Sequence, residues 1–142
     1  MNLIREVSRG LSRRGRRRDG VMKLDDYNHY CGSLAHSTHV VQWGGAHVWK
    51  IGGKVYAIAG WNEGEDLAVT FKCSDMAFDL MKLAEGVRPA PYLASRGMKW
   101  LQRTRAAAIS DADLKDYIAD SYRLVAAGLP KKRQRELGLL AE

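Results

Sequence analysis

At 142 residues, 46% hydrophobic and 27% charged, the chain has the size and balance of one soluble domain with a single core, so one compact domain is the default and the composition argues against a fibrous or wholly disordered chain. No apolar run approaches the length of a membrane helix, and the N-terminus lacks the apolar core of a secretory signal. Cys31 and Cys73 lie far apart with no metal-type or redox-type spacing, so reduced thiols and a cytoplasmic protein are expected, with no membrane partner and a monomer as the default.

The net charge of +7 is unevenly spread. Residues 1–21 hold seven arginines against Glu6 and Asp19, a balance of +5, which leaves +2 for residues 22–142. The stretch Ser12-Arg13-Arg14-Gly15-Arg16-Arg17-Arg18 is too charged to bury, so residues 1–21 are expected to form a disordered extension and residues 22–142 the domain. Three readings of the extension stand side by side. It is a nucleic-acid arm acting through phosphate neutralisation, a targeting peptide with Leu3, Ile4, Val7 and Leu11 at helical spacing, or an extension without function.

From Met22 onward the elements can be taken in order. Leu24, Tyr27, Cys31 and Leu34 recur at helical spacing behind Asp25 and Asp26, which suit the positive end of a helix dipole. A stretch rich in Val, Trp, Tyr and Ile follows, broken at Gly44-Gly45 and Gly52-Gly53, and reads as an antiparallel meander. Within it, Val48–Ile51 and Lys54–Ile58 form a hairpin, because two glycines accept the positive φ of a tight turn. Leu67, Val69 and Phe71 alternate with Ala68, Thr70 and Lys72, which points the first set into a core and the second toward an open face. Ser74 can cap a short second helix that packs either Phe78 and Met81 or Leu80 and Leu83. A proline-rich crossing at 86–92 leads to a last strand near Lys99–Arg105, with Lys99, Leu101, Arg103 and Arg105 on one face and Trp100, Gln102 and Thr104 on the other. Ser110 and Asp113 approximate a capping box for the third helix. Its buried stripe is Leu114, Tyr117, Ile118, Ser121, Tyr122 and Val125, and Gly128 with Pro130 ends it. The predicted order is α-β-β-β-β-α-β-α, an α+β antiparallel sheet with helices packed on one face.

Five short motifs stand in series: Phe71-Lys72-Cys73, Arg88-Pro89-Ala90-Pro91-Tyr92, Lys99-Trp100, Asp120-Ser121-Tyr122 and Leu129-Pro130-Lys131-Lys132. In order and spacing they resemble the MmcQ/YjbR family of small bacterial proteins. The resemblance covers residues 22–135 and implies a CyaY-like α+β fold; proteins of this family usually begin where Met22 stands. It also implies a DNA-binding role, described in the family as a double-wing module with hairpins as wings. The segment Ala94–Met98 departs from the family pattern, so no loop function carries over there. Nor does the iron site of CyaY, since the first helix here offers only Asp25 and Asp26 of an acidic ridge.

The chemistry of the side chains is sparse. His29, Cys31, His36, His39, His47 and Cys73 are possible metal ligands, but only His36 and His39 have ligand-like separation, and a structural zinc site needs two close pairs. No metal or cofactor is expected. Cys31 and His29 are two apart on one helix and point in different directions, Cys73 follows a core strand, and Ser121 with Tyr122 lies on a buried stripe where core hydrogen bonding is the plain reading. No nucleophile elbow, phosphate loop or dinucleotide fingerprint is present, so a non-enzymatic protein is expected.

Charge in the folded part is −3 over residues 22–87, +5 with no acid over 88–105, and +2 over 131–142. Helix three carries Asp113, Asp116 and Asp120, and the tip after the third strand carries Glu63, Glu65 and Asp66; both repel phosphates. The expectation is therefore weak DNA binding through phosphates, with little sequence preference, by Lys50, Lys54, Lys72, Arg96, Lys99, Arg103 and Arg105, with Lys131–Arg135 in support. A solvated basic surface is the competing plain reading, and Trp100 is a core residue before it is a stacking platform. The runner-up is a protein-interaction or small-ligand module on the same sheet face. An enzyme would instead require a pocket joining Tyr92, Trp100 and Tyr122.

Overall fold

The computed structural model describes residues 21–62, 64–91, 93 and 97–139. The elements are α1 (Leu24–Gly32), β1 (Ser37–Gln42), β2 (Ala46–Ile51), β3 (Lys54–Ala59), β4 (Val69–Lys72), α2 (Asp75–Met81), β5 (Val87–Pro89), β6 (Trp100–Arg103), α3 (Asp111–Ala127) and α4 (Lys131–Glu136). The strands form one antiparallel sheet in the order β1-β2-β3-β4-β6-β5. The predicted α+β order is present, with two additions: the three-residue edge strand β5 inside the proline-rich crossing, and α4 after Pro130. Arg-rich residues 1–20 lie outside the described residues.

Local chemistry accounts for the boundaries. Gly52 and Gly53, at φ 60° and 85°, turn β2 into β3. Ser74 Oγ accepts from the Ala77 amide at 3.1 Å and Ser110 Oγ from the Asp113 amide at 3.1 Å, so both predicted caps hold their helices. Of the two faces open to α2, Phe78 and Met81 pack inward while Leu80 and Leu83 face solvent.

The main core lies between the sheet and α1 and α3. Tyr27, Cys31, Ile51, Phe71, Leu101, Leu114 and Ile118 are fully buried in it. Burial of this kind contributes about 1.5–3 kcal/mol per large apolar side chain. A bulge interrupts the alternation of β3: Trp49 pairs with Ala57 but Lys50 pairs with Val55, so Tyr56 is an extra residue and shares the core face with Ala57. Its hydroxyl reaches the Cys31 carbonyl at 3.1 Å and Ser37 Oγ at 2.7 Å.

The bulge also ends the pairing of β3 with β4 at Ala57 and Phe71. Beyond that point the Ser121 hydroxyl of α3 is inserted between the strands. It donates to the Tyr56 carbonyl at 2.6 Å and accepts from the Lys72 amide at 2.9 Å. Ser121 is thus bonded within the core, as its place on the α3 stripe implies.

The second sheet face departs from the expected open surface. Val48, Ile58, Thr70 and Gln102 are buried there, and Trp100 is 4% exposed. Ala46, Val48 and Ile58 form a small second core with Val55, Trp61 and Leu93. Trp61 and Leu93 thus cover part of this face; Asn62 Oδ1 accepts from the Ala68 amide at 2.8 Å, and Asp66 Oδ2 accepts from the Ala106 amide at 2.8 Å. Among the described residues no helix is long and apolar enough to cross a membrane.

Candidate functional site

The seven cations expected to contact phosphate fall at different places in the fold. Arg103 is the clearest correction. It stands on β6 opposite Val69 and Val87, on the face of Leu101, and is fully buried. Its Nη1 donates to the Ile109 carbonyl at 2.7 Å and pairs with Asp111 Oδ1 at 3.2 Å. Because β6 is an inner strand, the side of it that carries Leu101 is core, and Arg103 follows by alternation. It is a structural cation with no access to phosphate.

Arg105 is exposed but ion-paired with Glu85 at 3.2 Å, and Lys99 Nζ lies 4.8 Å from the centre of the Phe78 ring on α2. These two belong to the α2 side of the molecule, not to the hairpin. Arg96 lies outside the described residues.

Lys50, Lys54 and Lys72 remain together. Lys50 and Lys54 flank the β2–β3 turn, and Lys54 and Lys72 line one groove. A Cβ at Gly52 would lie 2.6 Å from Leu129 Cδ1 and 3.4 Å from Leu137 Cδ1, so the two ends of α4 pack on this turn. They bring Lys131, Lys132, Arg133 and Arg135 beside the hairpin, and the one acid of α4, Glu136, is paired with Arg133 at 3.3 Å. One end of the molecule is therefore basic.

The groove beside it has a volume of about 760 Å³. It follows the splayed end of β3 and β4, with Val55 and Ile58 on one wall, Trp100 and Met98 on another, and Leu124, Val125 and Gly128 at the end of α3. Trp43 and Trp61 stand at it with ring centres 6.2 Å apart. Sequence reasoning missed these two tryptophans. The available signal was their position beside turn glycines, in Trp43-Gly44-Gly45 and Gly60-Trp61, where a large aromatic residue cannot easily enter the core.

The enzyme reading would require a pocket joining Tyr92, Trp100 and Tyr122, of which Trp100 and Tyr122 are among the described residues. Trp100 lines the groove, whereas the Tyr122 hydroxyl donates to the Ala35 carbonyl at 2.6 Å and its ring meets Tyr56 edge-on; Tyr92 lies outside the described residues. The thiols are buried and free. Burial pushes Cys31 up to about 12 and Cys73 up to about 11, which keeps both protonated at neutral pH.

His36 and His39 do not meet. His36 precedes β1 with φ 63°, while His39 Nε2 lies 3.0 Å from His47 Nδ1 on β2, stacked on Trp49 at 4.7 Å. Burial, then the neighbouring His47, lowers the His39 pKa. Among the described residues no three His, Cys, Asp or Glu side chains gather at one point.

The crystal structure of Deinococcus radiodurans protein DR2400, with domain DUF419, is similar to this fold at a TM-score of 0.73 and 22% identity, covering 87% of this chain and 93% of that one. A protein from Pseudomonas syringae is similar at a TM-score of 0.58 and 15% identity, covering 73% of this chain and 99% of that one. No curated protein matches the chain. At these identities the likeness is one of fold. The sequence itself carries the kinship: residues 32–124, from the end of α1 to the Leu124 turn of α3, match the YjbR family model, and the chain belongs to the YjbR family.

Proposed function

We propose that the protein binds DNA without catalysis, through phosphate contacts and with little sequence preference, at the basic end built from the β2–β3 hairpin and α4. The observation that carries this reading is the packing of Leu129 and Leu137 on the Gly52 turn, which sets the cations of α4 beside Lys50 and Lys54. No carboxylate pairs with Lys50, Lys54 or Lys72 among the described residues, so their charge is available to a polyanion. Each neutralised phosphate releases counterions, giving a salt slope of about −0.9 per contact on duplex DNA.

The acidic residues orient the interface. Asp113, Asp116 and Asp120 are exposed on α3, which removes α3 as a groove-reading helix and leaves the opposite end for contact. Two buried, free thiols agree with a cytoplasmic, reducing compartment.

The test compares DNA affinity across a salt series for two sets of variants in the full chain. Lys50→Ala with Lys131→Ala and Lys132→Ala should lower affinity at least tenfold and flatten the salt slope by about 3. Lys99→Ala with Arg105→Ala should leave both nearly unchanged. Equal losses in the two sets, or none in the first, would remove the reading.

A further inference from the structure

The groove has chemistry that phosphate contacts do not use. Its walls are aromatic and aliphatic, and among the described residues that line it the charged ones are Lys54 and Lys72. A volume of about 760 Å³ falls in the range of sites that take one small molecule.

Two features of the backbone point to the same place. Among the described residues three non-glycine residues have positive φ, and two of them are the groove tryptophans, Trp43 at 53° and Trp61 at 61°. Bulky side chains rarely adopt this conformation, and such strain gathers where a side chain must be presented to a ligand. Trp61 Nε1 is directed to the Trp43 carbonyl at 3.4 Å, which ties the two turns to each other across the groove. The third indole, Trp100, is 4% exposed, and its Nε1–H has no partner.

We propose that this groove is a binding site for a small aromatic anion, a planar ring system carrying one carboxylate or similar group. Indole walls favour a flat aromatic body over an alkyl chain, because ring pairs gain stacking or edge contacts beyond area burial. Lys54 and Lys72 supply the complement to the anionic group. Lys72 is set by its own backbone, since its amide donates to Ser121 Oγ at 2.9 Å at the point where β3 and β4 part. The ligand anion therefore sits at the mouth nearest the hairpin, with the ring system running toward Trp43 and Trp61. This site does not rest on the DNA-binding reading, although it shares Lys54 and Lys72 with that surface.

The test titrates the full chain with 2-naphthoate, its neutral analogue 2-naphthamide and the aliphatic decanoate, read by calorimetry and by tryptophan fluorescence. Saturable one-to-one binding of naphthoate is expected, with the amide and decanoate each at least tenfold weaker. Lys72→Ala should weaken naphthoate about tenfold. Trp43→Ala removes a half-exposed side chain outside both cores and should weaken it as much without affecting folding. Lys131→Ala with Lys132→Ala should leave naphthoate binding intact while lowering DNA affinity, so the two readings fail separately. No saturable binding, equal affinity for the amide, tighter binding of decanoate, or full affinity in Trp43→Ala would each overturn the proposal.

Discussion

The Ser121 hydroxyl accepts a hydrogen bond from the backbone amide of Lys72 at 2.9 Å and donates one to the Tyr56 carbonyl at 2.6 Å. One α3 side chain thereby stands in for the missing rung between β3 and β4 and fixes the lysine at the groove. Ser121→Ala leaves two strand groups unpaired, with an expected loss of about 1–3 kcal/mol. Urea unfolding measures it. A loss within a few tenths of a kcal/mol would mean that water replaces the hydroxyl freely.

The Arg103–Asp111 pair predicts an asymmetry. Asp111→Ala abandons a fully buried guanidinium and should cost about 3–5 kcal/mol, whereas Arg103→Leu removes that charge and leaves a carboxylate with 26% of its side-chain surface exposed, so its cost should be smaller. Chemical denaturation of the two variants gives the order directly, and equal costs would contradict the assignment of Arg103 as the desolvated partner.

Alkaline pH should unfold the protein through its buried acids. The Cys31 thiol is raised from 9.0 to about 12 by burial, so the unfolded chain loses this proton first. Its contribution is fully present below about pH 9 and is lost as pH rises toward 12. Burial raises Tyr27 and Tyr56 as well, which steepens the fall above pH 10. Denaturation midpoints from pH 7 to 11 should be flat and then drop, and a thiol reagent at pH 8 should label neither cysteine in the native state. Rapid native labelling of Cys31 would contradict this.

Gly52 joins fold to surface. Its φ of 60° and the 2.6 Å approach of Leu129 Cδ1 to any Cβ placed there predict that Gly52→Ala costs about 1–3 kcal/mol. Gly53→Ala, at φ 85° but with open space around it, should cost less. Because Gly52→Ala also pushes on α4, it should lower DNA affinity more than Gly53→Ala does; matched affinities would detach α4 from the interface.

Much of the fold was legible in the sequence because periodicity and capping act locally. The β2–β3 hairpin, the Ser74 and Ser110 caps and the α3 stripe each depend on residues a few positions apart. What escaped depends on partners distant in sequence. Leu101 and Arg103 alternate against Trp100 and Gln102 with one apolar residue on each side, so only the neighbours β4 and β5 decide that Arg103 is buried. At the Tyr56 bulge β3 and β4 part, and the group that bridges them there is Ser121, far along the chain. His39 meets His47 rather than His36, a pairing readable from the Gly44-Gly45 turn once the β1–β2 register is known.

The most direct test of DNA binding by the fold is a salt series on duplex and single-stranded DNA for the chain starting at Met22, beside the full chain. The account predicts that the shorter chain binds, that its log affinity falls linearly with log salt, and that the Lys50, Lys131 and Lys132 substitutions reduce that slope. Binding only by the full chain, or affinity of the shorter chain that ignores salt, would contradict it.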